Sequence, residues 1–221
     1  MSESRRLPSI APYDLPQQAD LPASRADWLP DPARAALLVH DMQAYFVDAF
    51  TPDCAPIAPM IANLARLVAM CRAAGVPVFY TAQIGAQEPH DRGLQRHLWG
   101  PGMRHVPEHE RIVAPLASAE GDIVLVKHRY SAFQRSNFAE LLAARGRDQL
   151  LIGGVYAHIG CQCTAAEAFQ RDIEPFFIAD ALADFSRDWH EASLANVADC
   201  LGVVLSTEQA LASFQRDDDD A

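Results

Sequence analysis

The chain has 221 residues, half of them hydrophobic, and a formal net charge of −11. That length suits one generous domain or two small ones, with apolar content enough for a sizeable core. The acidic balance argues against nucleic acid and anionic membrane as partners; no apolar run reaches the roughly 18 residues of a membrane span, and the start, "MSESRRLPSIAPYDLP", lacks the apolar stretch of a signal peptide.

Residues 1–33 are rich in Pro, Ser and Ala and read as an extended surface arm rather than a domain. "ARAALLVHDM" then gives an apolar run ending in polar residues, the pattern of a buried strand. "APMIANLARLVAMCRAAG" places Ile61, Leu64, Leu67, Val68 and Cys71 at helical spacing and stops at Gly75. "VPVFYTAQ" is the second strand. Residues 84–120 carry scattered Gly, Pro and His, and irregular connections of that length are often functional. "DIVLVKHRYSAF" is the third strand, and "SNFAELLAARG" a helix capped by Ser136 or Asn137 and stopped by Gly146. "QLLIGGVYA" is a strand, "CTAAEAFQRD" a helix and "EPFFIADALA" a strand. "SRDWHEASLANVADC" reads as a helix opened by a capping box, with Ser or Asp ahead of it and Glu191 three residues beyond Asp188. "GVVLST" is the sixth strand and "TEQALASFQ" the last helix. The charge run at 216–221 is expected to be a solvated, disordered tail.

Strands alternating with helices in this way form βαβ units, which require a mainly parallel sheet covered on both faces. Right-handed crossovers favour a doubly wound sheet, an α/β fold whose site lies beyond the carboxyl ends of the strands. Those ends carry His40-Asp41-Met42-Gln43, Thr81-Ala82-Gln83, Lys127-His128-Arg129-Tyr130, Tyr156-Ala157-His158 and the stretch from Asp180 to Asp184. An acid and an ammonium therefore share one rim. Asp41 is a candidate for catalysis or a cap for the next helix; Lys127 is a candidate for catalysis or a solvated strand end.

The five cysteines are odd in number and irregularly spaced, and read as reduced thiols in a cytoplasm. Two of them, Cys161 and Cys163, stand where a strand turns into a helix, a common place for a nucleophile. No Gly-rich phosphate loop and no dinucleotide fingerprint follows a strand, so no cofactor is implied.

At the same strand ends, "LLVHDMQAYF", "YTAQ", "RGLQRHLWGPGM", "KHRYSAF", "GVYAHIGC" and "DIEPFFIADALADFS" together resemble the isochorismatases, members of a superfamily that also holds cysteine hydrolases such as nicotinamidases. The likeness runs from about Ala33 to Glu208, within a hydrolase domain placed at 34–215. It implies a three-layer αβα, Rossmann-like fold with a six-stranded parallel sheet in the order 3-2-1-4-5-6. It also implies an enzyme that hydrolyses the vinyl ether of isochorismate, or of its 2-amino-2-deoxy analogue, with release of pyruvate. Siderophore and phenazine biosynthesis are the two settings. "GVYAHIGC" and "DALADFSRD" look more like the siderophore branch. The absence of a carrier domain after Gln215 looks more like the phenazine branch, or like a hydrolase domain separated from its carrier.

By the same resemblance Asp41 is the general acid and Lys127 its catalytic partner. Hydrolysis of an enol ether needs a proton delivered to carbon and no thiol. Laid on the superfamily pattern for the nucleophilic cysteine, "GVYAHIGC" puts Gly160 at that position, leaving room where amidases place sulfur. Cys161 lies one residue on, turned by roughly 100° at the start of a helix, and is expected to point away from Asp41 and Lys127. Gln83, Arg92, Tyr130 and Tyr156 match ligand-contacting positions. Arg92 is either a bidentate partner of a carboxylate or an exposed loop residue. Phe46 and Trp99 either wall the pocket or belong to the core. His158 stands beside the site, where a structural histidine bonded to backbone is the expected role, and His40 packs against or orients Asp41. A cis Val155–Tyr156 peptide is implied as well. The nearest match to the nicotinamidase Asp-x-His metal pair is Asp53-Cys54-Ala55, so no metal is expected. The expected partners are a small dicarboxylate substrate, a separate aryl carrier protein in the pathway, and a second copy of the chain as a homodimer, with the arm at 1–33 as a candidate contact.

Overall fold

The computed structural model describes residues 7–214. The charge run at 216–221 and the first six residues of the arm lie outside them. Six strands form one sheet: β1 (Ala35–His40), β2 (Val78–Ala82), β3 (Ile123–Val126), β4 (Gln149–Val155), β5 (Glu174–Ala183) and β6 (Val203–Leu205). Every pairing is parallel and the order is β3-β2-β1-β4-β5-β6, as expected. β1 pairs with β2 from Leu37–Val78 to Val39–Tyr80, and with β4 from Ala35–Gln149 to His40–Gly154. The winding reverses between β1 and β4, which opens a crevice at their carboxyl ends.

Nine helices accompany the sheet among the described residues: α1 (Ala44–Val47), α2 (Ile57–Ala73), α3 (Pro89–Arg92), α4 (Gln95–Trp99), α5 (Pro107–Glu110), α6 (Phe138–Ala143), α7 (Gln162–Phe169), α8 (Arg187–Cys200) and α9 (Thr207–Ser213). Both faces of the sheet are buried, so the central strands are apolar throughout instead of alternating. Leu37 and Val39 of β1 meet Leu64 and Leu67 of α2 and Ala210 of α9 in one core. Ala36 and Leu38 face the other way, into a second core with Phe138 and Leu142 of α6, Ala165 of α7 and Leu194 and Val197 of α8. Among the described residues no helix is long and apolar enough to cross a membrane.

Two local expectations are corrected. The capping box assigned to α8 does not form: Ser186 caps it by accepting from Trp189 N, while Glu191 pairs with Arg187 one turn away. The box lies instead at α9, where Ser206 Oγ accepts from Gln209 N and Gln209 Oε1 accepts from Ser206 N. At α6 the capping position is Asn137, one of the two expected, without a side-chain cap bond; Ser136 Oγ accepts from Phe138 N at 3.3 Å and donates to Ala132 O at 2.6 Å. The connection at 84–120 is broken into α3, α4, α5 and a 3-10 turn at Ala114–Leu116.

The arm from residue 7 to 33 is largely extended, with a 3-10 turn at Gln18–Asp20 and a hydrogen-bonded turn at its end, where Arg34 N donates to Asp31 O. Ile10 is buried and forms a bridge with Phe50. Tyr13 Oη accepts from Asp184 N at 2.8 Å and lies 3.2 Å from His190 Nδ1. Ser24 Oγ accepts from Val204 N on β6. These anchors bring Leu7 to the wall of the cavity above the strand ends.

Candidate active site

The ends of β3, β2 and β1 are adjacent, so Lys127, Thr81 and Asp41 converge although they are far apart in sequence. Asp41 follows the last residue of β1 with φ +52°, a left-handed conformation that turns its side chain inward and that aspartate tolerates better than most residues. Thr81 fixes this turn twice: its Oγ1 accepts from Asp41 N at 3.0 Å and donates to Asp41 Oδ1 at 2.6 Å. Lys127 Nζ donates to Asp41 Oδ2 at 2.8 Å. Asp41 is 5% exposed and Lys127 4%. Burial pushes the Asp41 carboxyl up, but the Lys127 ammonium and the Thr81 hydroxyl outweigh it and hold it below its usual range. In the unliganded protein Asp41 is therefore a carboxylate.

Asp41 and Lys127 border a cavity together with Gln83, Arg92, Trp99, Tyr130, Tyr156, Phe46 and Gly160. Arg92, on α3, is buried: Nη1 donates to Gln83 Oε1 at 3.0 Å and Nε to Gly100 O at 3.2 Å. A Cβ on Gly102 would come within 2.7 Å of the Arg92 guanidinium carbon, and Gly102 takes φ +84°, a conformation that favours glycine. Gln43 holds Gln83 from behind, accepting from Gln83 N at 2.7 Å and donating to Gln83 O at 2.9 Å. Trp99 Nε1 donates to Tyr130 Oη at 2.7 Å, joining α4 to the chain beyond β3. Tyr156 contributes its ring, because its hydroxyl is already donated to Phe46 O at 2.8 Å. Phe46 and Phe185 pack on that ring. The lining is thus rich in aromatic rings, with two cations and one carboxylate set into it.

β4 ends at a cis Val155–Tyr156 peptide, followed by a π-helical turn over Ala157–Cys161 that leads into α7. Gly160 in that turn faces His40. A Cβ at position 160 would lie 2.3 Å from His40 Cε1, so the room expected at Gly160 is already filled by the imidazole. Burial pushes the His40 imidazole down to about 4, which leaves it neutral. Cys161 is fully buried in the second core, away from the cavity, and burial pushes its thiol well above the usual range. Burial raises the Cys163 thiol too, and this residue lies in an outer groove. Neither is placed or ionised as a nucleophile.

Of the ten residues singled out as a site, nine line this cavity. The exception is His158, which is corrected: its Nδ1 lies 2.6 Å from Asp184 Oδ1 and its ring stacks on Trp189, so it is turned to the back of the wall. Its partner is a carboxylate and not the expected backbone. Thr81 and Gln43 were visible at the strand ends but carried no motif that assigns them a role. Leu7, Tyr45, Gln95, Ile159 and Phe185 also reach the cavity and have no local signature.

The isochorismatase-domain family model matches residues 35–209. The chain is 47% identical over 209 residues to a Bacillus subtilis protein named isochorismatase, covering 95% of this chain and 67% of the relative. It is 49% identical over 205 residues to enterobactin synthase component B of Escherichia coli K12, covering 93% and 72% of the two chains. With the phenazine biosynthesis protein PhzD of Pseudomonas fluorescens it shares 45% identity over 205 residues, 93% of this chain and 98% of that one. A parallel sheet in the order the resemblance implied, a family match from β1 into α9, and a relative aligned over nearly its whole length agree: the chain belongs to the isochorismatase family.

Proposed function

We propose that the protein hydrolyses the vinyl ether of isochorismate, giving pyruvate and 2,3-dihydro-2,3-dihydroxybenzoate, with Asp41 as general acid and no covalent intermediate. The observation that carries the reading is the charge set of the cavity. Lys127 and Arg92 supply two cations and Asp41 one anion. A dicarboxylate entering this enclosure matches the two cations and leaves the Asp41 carboxylate in excess. Taking a proton from solvent onto Asp41 balances the site and arms the acid at once. Lys127 moves its pairing from Asp41 toward a substrate carboxylate, and Arg92 holds the other.

Asp41 then delivers its proton to the terminal CH2 of the enol ether. The positive charge forms at the ether-bearing carbon as an oxocarbenium ion. Water adds there and its proton returns to the Asp41 carboxylate. The resulting hemiketal collapses: its carbon–oxygen bond to the ring breaks, its hydroxyl proton passes to the departing ring oxygen, and pyruvate and the dihydrodiol leave. The aromatic lining keeps bulk water from competing for the proton.

A second substrate, 2-amino-2-deoxyisochorismate, has the support of the PhzD relative, as the siderophore setting has that of the enterobactin synthase relative. The reacting group is the same in both. A thiol amidase is opposed by Gly160, which presses on His40, and by the buried Cys161. An aryl carrier protein downstream and a homodimer belong to the same proposal. Coupling pyruvate release to lactate dehydrogenase, with isochorismate, its 2-amino analogue and nicotinamide as parallel substrates, tests it. Turnover of nicotinamide alone would overturn it.

A further inference from the structure

His40 takes no part in the chemistry above, yet it sits between the end of β1 that carries Asp41 and the turn that follows β4. It immediately precedes Asp41. The backbone of β4 presses on it, since a Cβ at Gly154 would lie 2.2 Å from His40 O and 2.8 Å from His40 N. Its Nδ1 lies 3.0 Å from Val155 O. A carbonyl only accepts, so Nδ1 carries the proton. The far edge of the ring lies against Gly160, with Cε1 2.3 Å and Nε2 3.0 Å from where a Cβ would stand. Nε2 is buried and makes no hydrogen bond of ordinary geometry, although the Tyr130 backbone also interacts with the ring. The imidazole presents a donor on one edge and a flat volume on the other.

We propose that His40 is a positioning residue whose imidazole locks the Val155–Gly160 turn to the strand end that carries Asp41, and whose far edge requires glycine at 160. The two edges have separate tasks. Nδ1 ties the turn to β1. Cε1 and Nε2 set the distance at which the Gly160 backbone passes the carboxylate. The kinetic part of the inference rests on the proposed vinyl ether hydrolysis; the contact itself does not.

A four-member cycle tests it: the wild-type chain, His40→Asn, Gly160→Ala and the double variant. Asparagine keeps an amide nitrogen near the place of Nδ1 and removes the far edge of the ring. Gly160→Ala alone is expected to lower kcat about 100-fold with KM within about threefold, the loss typical of a displacement on the order of 1 Å at reacting groups. In the His40→Asn background the same alanine fills vacated space and changes kcat by less than about threefold. An equal loss from Gly160→Ala in both backgrounds overturns the proposal. Thermal unfolding of the four proteins gives a readout independent of turnover, and the same non-additivity is expected in Tm. If Gly160→Ala does not fold, folding of the double variant supports the proposal and its failure to fold contradicts it. Should the wild-type chain release no pyruvate, the proposed activity fails while the unfolding cycle still decides the His40–Gly160 coupling. Imidazole 15N shifts of the wild-type protein should show the neutral Nδ1-protonated tautomer; the Nε2-protonated form would also overturn it.

Discussion

Lys127 Nζ donates to Asp41 Oδ2 at 2.8 Å inside an enclosure that leaves both side chains almost without solvent contact. A buried ion pair of this kind is poor evidence for stability, since desolvation offsets most of the attraction. It is better understood as a stored state of the site. The carboxylate is ionised while the cavity is empty, and the proposed chemistry needs it protonated when the cavity is full.

That difference is measurable as a proton count. Binding an unreactive dicarboxylate analogue near neutral pH is expected to draw about one proton from solvent per site. Calorimetry in buffers of different ionisation enthalpy reads it directly. By the same sign kcat/KM falls as pH rises through the neutral range, because the free protein holds Asp41 deprotonated. Binding heats that do not vary with buffer would contradict the switch.

Arg92 tests the recognition half of the site. Its guanidinium is fixed by Gln83 and Gly100, and Gly102 packs against its plane. Lysine cannot reproduce two fixed donors in one plane. Arg92→Lys is expected to raise KM on the order of 10- to 100-fold with a smaller effect on kcat, the scale of a lost charge-assisted pair. An unchanged KM would remove Arg92 from the binding set.

The thiols give the opposite expectation. Cys161→Ala and Cys163→Ala should each leave kcat within about threefold of the wild-type value, with Cys161→Ala lowering stability through lost core packing. Iodoacetamide at neutral pH should leave turnover intact. Stoichiometric loss of activity on alkylation of either residue would return the nucleophile to this turn.

Acid stability follows from two buried histidines. Burial lowers His40 and His190 from 6.5 to about 4. The unfolded chain binds these protons near pH 6.5 and the folded chain resists them down to about pH 4. The folded state is therefore fully favoured by them above pH 6.5 and loses that advantage as pH falls toward about 4. Urea midpoints should drop across this window. His190→Gln should flatten the decline, and an identical slope in that variant would mean that His190 is not held neutral.

Much of the fold was legible because burial on both faces makes parallel strands continuous apolar runs, as in "AALLVH", which is β1 residue for residue. Strand ends then located the rim. Pairs of residues that meet only in three dimensions were not legible. Thr81 stands 40 positions from Asp41 and binds it twice, yet nothing in "YTAQ" marks that hydroxyl. Gly160 was read as open space because its neighbour His40 lies 120 residues earlier and only the β1–β4 pairing brings them together. His158 was misplaced because which way a residue faces in a π-helical turn does not follow from α-helical counting. The capping box was assigned to the wrong helix because Glu191 has a nearer cation in Arg187, while "STEQ" at α9 held the working pair.

The central claim is that the proton reaching carbon comes from Asp41. Its most direct measurement is pyruvate release by Asp41→Asn, alongside the affinity of a dicarboxylate analogue for the same variant. Asparagine keeps the shape and the hydrogen bond to Thr81 but has no acidic proton. The expected result is a loss of kcat of about 1,000-fold or more, within the range general acid catalysis contributes, with analogue affinity unchanged or tighter. Turnover within about tenfold of the wild-type chain would contradict the claim and place the acid elsewhere in the cavity.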